Sequence, residues 1–303
     1  MIKLIYHIAV FAITGGLIAI TFKWCDLNGW DNSLMSMGFY RSVIIGLIYL
    51  AYAWPRREAL LPKGKAKTYL IVSSQLKTIS NALLIYILSM LDVSLAMVMY
   101  ACIFPMFSLV MTRLANPVKD KLTKGRIAGC ILGGIAAGLM AFKGDPSLST
   151  FLFIIIMLMC FTAALHVLIE CKAIEHGATQ TQSMLAVTLY SAPGYLVLAL
   201  IFGESLTAGF SNTAGIWAFT ISIIIGTWHF ISRRAFMGMS QMSGYVLISS
   251  LPFVVSILVS VLFLGEQLND LTILGIVIVP IALWIGRLKK KNDPNEGIEN
   301  TGN

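Results

Sequence analysis

Long apolar segments, separated by short polar connections, recur along almost the whole chain. They cover residues 5–22, 34–53, 68–88, 93–112, 126–142, 150–169, 183–202, 214–232, 243–264 and 271–287. Each is close to the ~20 residues that a helix needs to cross the hydrocarbon core of a bilayer. Because a backbone inside lipid must satisfy its own hydrogen bonds, segments of this length are expected to be helical. The pattern predicts an all-α integral membrane protein with ten transmembrane helices.

The composition agrees with a bilayer as the solvent. Of the 303 residues, 57% are hydrophobic and 12% are charged, whereas a soluble domain has about 25% charged residues. The formal net charge is +8, but the basic residues occur in short loops beside apolar segments, which is typical of membrane orientation. We therefore expect the lipid bilayer as a partner, and no nucleic acid.

Basic residues are distributed unevenly between the two sets of predicted loops. Eighteen of the 22 lysines and arginines fall on one side, whereas the opposite side has Lys23 and Lys143. The positive-inside rule places the basic side, and with it both termini, in the cytoplasm. The sequence thus predicts a multi-pass protein of the cytoplasmic (inner) membrane. Arg41 and Lys77 belong to neither side because they lie within predicted spans.

A faint internal repeat relates the two halves of the chain. Pro105 in span four and Pro252 in span nine are each followed by a short loop, a Leu-Thr pair and a glycine-containing span. Because each half contains five predicted spans, an odd number, the second copy enters the membrane from the opposite side. We predict two inverted five-helix repeats at 1–146 and 147–291, followed by a polar cytoplasmic tail at 292–303.

Several short strings are similar to those of a known transporter family. They are Phe-Tyr-Arg at 39–41, the turn and helix start at 88–96, and Leu-Gly-Glu at 264–266. Together with the span pattern, they make the chain resemble the EamA-type carriers of the drug/metabolite transporter superfamily. The resemblance implies two EamA-like repeats and export of amino acids or similar metabolites. The chain departs from the family at 116–122, where the family often has Gly-Glu.

Lys77 lies near the centre of span three, where a charged side chain costs about 2.5–3.5 kcal/mol on insertion scales. Ser73, Lys77 and Asn81 are spaced four residues apart and so share one helix face. This polar face predicts that Lys77 and Asn81 line a substrate cavity. The alternative is a structural lysine that is bonded to carbonyls or paired with an acid on another span.

Arg41 lies several residues inside span two. A guanidinium can bind an anionic group through two parallel hydrogen bonds. It can equally be a structural cation paired with Asp31 or Asp92, and the structural role is the interpretation that we favour.

Two histidines fall on polar faces of predicted spans in the second half. His166 shares a face of span six with Thr162 and Glu170, and we predict that it binds substrate. Proton coupling through this pair is a second hypothesis, and a solvated Glu170 near the cytoplasmic end is the alternative. His229 in span eight is predicted to line the cavity, with a packing histidine as the alternative. Arg233 is expected at the cytoplasmic interface.

Spans four and nine carry matching faces of small and polar residues around their prolines. We predict that Tyr100, Tyr245 and Ser249 contribute to substrate binding, and that Pro105 and Pro252 permit bends that gate the cavity. Close packing of small residues between helices would produce a similar pattern and is the alternative.

The chain lacks the sequence signatures of ATP binding and of common hydrolases. We therefore expect no enzyme activity, no cofactor and no metal. The predicted function is secondary transport of a small, amino-acid-like organic metabolite by alternating access, in the direction of export. The alternatives are import of a vitamin, nucleoside-like compound or cationic nutrient, an intramembrane enzyme, and a passive channel. The sequence is compatible with either a monomer or a homodimer.

Overall fold

The fold is all-α throughout the residues that the structure describes. The computed structural model describes residues 2–30, 32–54, 61–115, 124–141, 146–237, 251–268 and 270–287, and no β-strand occurs among them. The helices are α1 Ile2–Cys25, α2 Leu34–Ala53, α3 Gly64–Met90, α4 Val93–Ala115, α5 Lys124–Ala141, α6 Pro146–Glu175, α7 Gln180–Ile201, α8 Thr213–Met237, α9 Leu251–Leu264 and α10 Asp270–Arg287. Two short helical turns, Asp26–Trp30 and Ala208–Ser211, precede α2 and α8.

Within the described residues, seven helices are long and apolar enough to cross a membrane, namely α1–α4 and α6–α8. Shorter apolar stretches occupy Ile127–Ala136 in α5 and Pro252–Leu264 in α9. Large apolar side chains such as Trp217, Leu262 and Phe263 are exposed on these helices, as expected where lipid is the solvent. The chain is therefore an all-α, multi-pass membrane protein. The predicted count of ten spans and the inverted repeat stay predictions.

Two glutamates link the ends of helices in the second half to the starts of helices in the first half. Glu204 follows α7 and accepts a hydrogen bond from the backbone N–H of Ser36 in α2 at 2.7 Å. Glu266 follows α9 and accepts one from the N–H of Val93 in α4, also at 2.7 Å. Each glutamate follows a glycine with a positive φ, 66° and 67°. The ends of α7 and α9 therefore meet the starts of α2 and α4 at one end of the bundle, called here the Glu204 end.

The opposite end, called here the Glu170 end, contains the tight connection between α6 and α7. Gly177 turns the chain with a φ of 93°. Thr179 and Gln182 then form a capping box, in which each side chain accepts a hydrogen bond from the other residue's backbone N–H. This box satisfies two of the orphan donors at the start of α7. The short hairpin brings the last turns of α6 beside the first turns of α7.

Small residues allow close helix packing in the interior. Between α3 and α7, the Thr78 hydroxyl donates to the Ser191 carbonyl at 3.3 Å, and the Ser191 hydroxyl donates to the Ser74 carbonyl at 3.2 Å. On α5, a Cβ added at Gly133 would lie 2.8 Å from the Cys102 carbonyl oxygen of α4. In lipid the hydrophobic effect does not drive helices together, so close van der Waals packing through small residues contributes to helix association.

Candidate functional site

A cavity of about 80 Å³ lies inside the bundle, between helices of both halves of the chain. Its walls combine apolar and aromatic side chains with two cations and several neutral polar groups, and no carboxylate of the described residues lines it. The lining residues are Ile18, Phe22, Gly38, Arg41, Ser42, Ile45, Lys77, Asn81, Thr188, Tyr195 and Phe230. The predicted residues Lys77 and Asn81 are among them. Their role in binding stays a prediction.

Both cations of the cavity lie over aromatic rings. The Lys77 ammonium nitrogen is 4.2 Å from the centroid of the Phe230 ring. The guanidinium carbon of Arg41 is 5.0 Å from the centroid of the Phe22 ring. A cation over an aromatic face is stabilised by roughly 0.5–2 kcal/mol, which compensates part of the desolvation of each charge.

Arg41 is 8% exposed and is incompletely satisfied by the described part of the chain. Its Nε donates a weak hydrogen bond to the Ser222 carbonyl of α8 at 3.4 Å, and its buried Nη2 has no hydrogen-bond partner among the described residues. Gly226 permits this approach, because a Cβ there would lie 2.7 Å from Nη2. Of the two predicted acidic partners, Asp92 is exposed at the start of α4, and Asp31 lies outside the described residues.

Tyr195 of α7 closes another side of the cavity. Its hydroxyl accepts a hydrogen bond from the Asn81 amide at 2.8 Å, and its ring approaches α2 at Gly38, where a Cβ would lie 2.7 Å from the ring. Sequence reasoning did not identify Tyr195, Ser42 or Thr188 as candidates. A tyrosine and two small polar residues in apolar segments carry no distinctive signal until packing shows which face they share.

A buried polar cluster lies on the Glu170 side of the cavity. The Arg233 Nη2 and Glu170 Oε2 atoms are 2.6 Å apart, and the Ser183 hydroxyl donates to Glu170 Oε1 at 2.7 Å. His166 Nε2 is 3.7 Å from Glu170 Oε2, and its Nδ1 is 2.7 Å from the Ser73 hydroxyl oxygen of α3. His166 thus joins the two halves of the chain at this cluster and is not among the residues that line the cavity.

Arg233, which is expected at the cytoplasmic interface, is 5% exposed. The alternative of a solvated Glu170 is wrong, because Glu170 is fully buried. The tight connection between α6 and α7 is the reason, since it places Ser183 against Glu170. Pairing with Arg233 then satisfies the charge that the fold removes from solvent.

His229 packs between α8 and α1. Its ring stacks on Phe11 with centroids 4.9 Å apart, and its Nδ1 lies 3.5 Å from the Thr14 hydroxyl oxygen. It is not among the residues that line the cavity, and its predicted role in substrate binding stays a prediction.

The predicted gating helices α4 and α9 contact each other near their prolines. The Tyr100 ring of α4 lies 5.1 Å from the Phe253 ring, beside Pro252 of α9. Pro105 lies within α4, one turn beyond the residues in this contact. The structure thus places Tyr100, Pro105 and Pro252 away from the walls of the cavity described above.

On its α1 side, Pro252 packs against a pair of glycines. A Cβ added at Gly15 would lie 2.9 Å from the Pro252 side chain, and the Ser256 hydroxyl donates to the Gly16 carbonyl at 2.8 Å. These contacts agree with the alternative interpretation of span nine, in which its small-residue face packs against another helix. Tyr245 and Ser249 lie outside the described residues.

Comparisons with known proteins support the fold without naming a function. No family model matches the sequence, and no curated protein matches it significantly. Solved structures do resemble the fold. One crystal structure, described simply as that of a protein, aligns over 92% of this chain and 96% of its own chain with a TM-score of 0.65 and 11% identity. At that identity the likeness shows a shared fold alone.

Proposed function

We propose that the protein is a secondary transporter of a small, amino-acid-like organic metabolite. The observation that carries this proposal is the cavity of about 80 Å³ inside an apolar bundle, with Arg41 and Lys77 in its walls. Ionisable residues within membrane spans are expensive and usually face a substrate pathway or a water-filled cavity. In this proposal the chain is an EamA-type carrier with ten spans in two inverted five-helix repeats.

Contacts between the two halves lie on both sides of the cavity along the bundle axis. Toward the Glu204 end, the Trp30 indole is fully buried, donates to the Gly215 carbonyl at 3.1 Å and contacts the rings of Phe210 and Phe219. Toward the Glu170 end lies the contact between Ser73 and His166. A transporter with a central site needs a barrier on each side that opens in turn. This arrangement supports alternating access over a passive channel.

The charge of the cavity bears on the alternative substrates. Arg41 and Lys77 line it, and within the described part of the chain no carboxylate does so. Like charges repel strongly at short range where the effective dielectric constant is low, so a cationic nutrient fits this site poorly. The direction of transport in the proposal, export, rests on the resemblance to EamA-type carriers.

Counterflow in liposomes tests the transport activity. Purified protein is reconstituted into liposomes loaded with an unlabelled amino-acid mixture, and the entry of labelled amino acids is measured over time. We expect saturable accumulation that is lost in Lys77→Met. Lys65→Met is the matched control, since Lys65 is an exposed lysine three turns away on the same helix. Entry of unrelated solutes without saturation would instead identify a channel, and no accumulation of any amino acid would count against the proposed substrate class.

The proposed orientation has both termini in the cytoplasm of a cell with an inner membrane. Reporter fusions at the C-terminus and in the 143–149 loop should then report opposite sides, with the C-terminus inside. The charge distribution in the fold supports this orientation, because Glu204 and Glu266 lie at the end opposite to the exposed Lys63 and Lys65. A C-terminus outside would contradict the orientation, and two reporters on the same side would contradict the five spans predicted between them.

A further inference from the structure

The buried charges of the described spans do not balance. Arg41, Arg233 and Glu170 are the buried charged side chains of the described residues, and Lys77 lines the cavity beside Arg41. Glu170 is already engaged, at 2.6 Å from Arg233. No carboxylate of the described residues pairs with Arg41 or Lys77. The cavity therefore has two cations for which the described part of the chain supplies no counter-charge.

Two side chains of the cavity have hydrogen-bonding capacity that the described residues do not use. Arg41 is more than nine-tenths buried, lines the cavity and keeps Nη2 without a partner among the described residues. An unsatisfied buried donor on a charged group is costly, and an anion that accepts from it removes that cost. Tyr195 accepts from Asn81, which leaves its own hydroxyl proton available to donate to the same ligand.

We propose that Arg41 and Lys77 together bind the carboxylate of a small organic acid, with Tyr195 donating the third hydrogen bond. This inference rests on the proposed function and refines its substrate class. A cavity of about 80 Å³ holds several water-sized groups and is well below the ~300–1,000 Å³ of sites for drug-sized ligands. Because the described residues that line the cavity include no carboxylate, the site favours a carboxylate on the ligand and offers no charged partner to an ammonium group.

A matched set of four-carbon probes tests this selectivity. Butyrate, butyramide and butylamine have the same skeleton and differ in charge, so they are titrated into purified protein at constant ionic strength while the melting temperature is recorded. A ligand at free concentration L that binds the folded state stabilises it by RT ln(1 + L/Kd), so the melting temperature rises with the logarithm of the ligand concentration above Kd. We expect this logarithmic increase with butyrate and no increase with butyramide or butylamine. An equal response to the amide or the amine, or no response to butyrate, would overturn the proposal.

Variants assign the effect to the two cations. Arg41→Gln and Lys77→Met should each weaken butyrate binding about tenfold to a hundredfold, the factor expected for losing one hydrogen bond to a charged group. Lys65→Met should bind like the wild type. If a neutral variant does not fold, Arg41→Lys and Lys77→Arg provide the measurement, because they keep the charge and should keep anion selectivity with altered affinity. Unchanged butyrate affinity in the neutral variants, or loss of anion selectivity in the charge-conserving ones, would refute the site.

The binding assay is independent of transport. Saturable amino-acid counterflow without anion-selective binding would refute the carboxylate site and leave the proposed function standing. Anion-selective binding without counterflow would support the site and count against the transporter.

Discussion

The carboxylate of Glu170 and the guanidinium of Arg233 form a buried ion pair in which Oε2 and Nη2 are 2.6 Å apart. The pair joins α6 to α8, and the hydroxyl of Ser183 on α7 donates to the same carboxylate. His166 extends the cluster to Ser73 on α3. Polar contacts from four helices thus converge at one depth, between the cavity and the Glu170 end. In the proposed transporter, this cluster would form a barrier that is closed in one state and open in the other.

Removing one member of the ion pair should destabilise the protein strongly. Glu170→Gln and Arg233→Met each leave the other charge buried without its partner, at an expected cost of about 3–5 kcal/mol. The double variant should cost less than the sum of the single ones, because it removes both charges together. Denaturant unfolding of the purified variants measures these differences. Single variants as stable as the wild type would show that the pair contributes little to the fold.

Glu204 and Glu266 should each stabilise the Glu204 end by capping a helix. Besides the bonds to Ser36 and Val93, each carboxylate accepts a second backbone N–H, and a negative charge at a helix N-terminus is favourable. We expect Glu204→Gln and Glu266→Gln to lose about 0.5–2 kcal/mol each. Their effects should add, since the two sites share no partner. Glu175→Gln is the control because Glu175 is exposed. Equal melting temperatures in all three variants would contradict the capping role.

The sequence was sufficient for the class of fold because that depends on local patterns. A span-length apolar segment in lipid has few structural options other than a helix, and the alternation of charged loops follows from it. The polar face of α3 could also be predicted from local sequence, because Lys77 and Asn81 are four residues apart. Both residues line the cavity.

The rest of the site depends on packing between distant helices. Pro252 and Ser256 are four residues apart and therefore share a helix face, but only the fold shows that this face contacts Gly15 and Gly16 of α1. The burial of Glu170 depends likewise on Arg233, which is distant in the sequence. Contacts between residues that are far apart in the sequence cannot be predicted from a local sequence pattern.

The contact between α1 and α9 should be intolerant of a single added methyl group. A Cβ at Gly16 would lie 2.6 Å from both the Pro252 carbonyl oxygen and the Val255 Cβ. Because backbone cannot move aside as a side chain can, Gly16→Ala should destabilise by about 1–3 kcal/mol.

Gly134→Ala on α5 is the matched control for this variant. Its Cβ would meet the flexible end of Met106 at 3.2 Å, and alanine is a better helix former than glycine by about 1 kcal/mol. Melting temperatures of the two purified variants make the comparison. A loss in Gly134→Ala as large as in Gly16→Ala would mean that the contact at Gly16 is not the cause.

Pro105 and Pro252 should affect the rate of transport more than the stability of the fold. A proline inside a helix removes a backbone hydrogen bond and permits a bend, which is the basis for their predicted role in gating. Pro105→Ala and Pro252→Ala should therefore insert normally, melt at or above the wild-type temperature and slow counterflow. Pro193→Ala is the control, because Pro193 lies inside α7, as Pro105 lies inside α4, and belongs to neither predicted gating helix. Initial counterflow rates, normalised to the amount of reconstituted protein, make the comparison. If the double variant of Pro105 and Pro252 transports as fast as the wild type and as Pro193→Ala, the two prolines serve helix packing rather than gating.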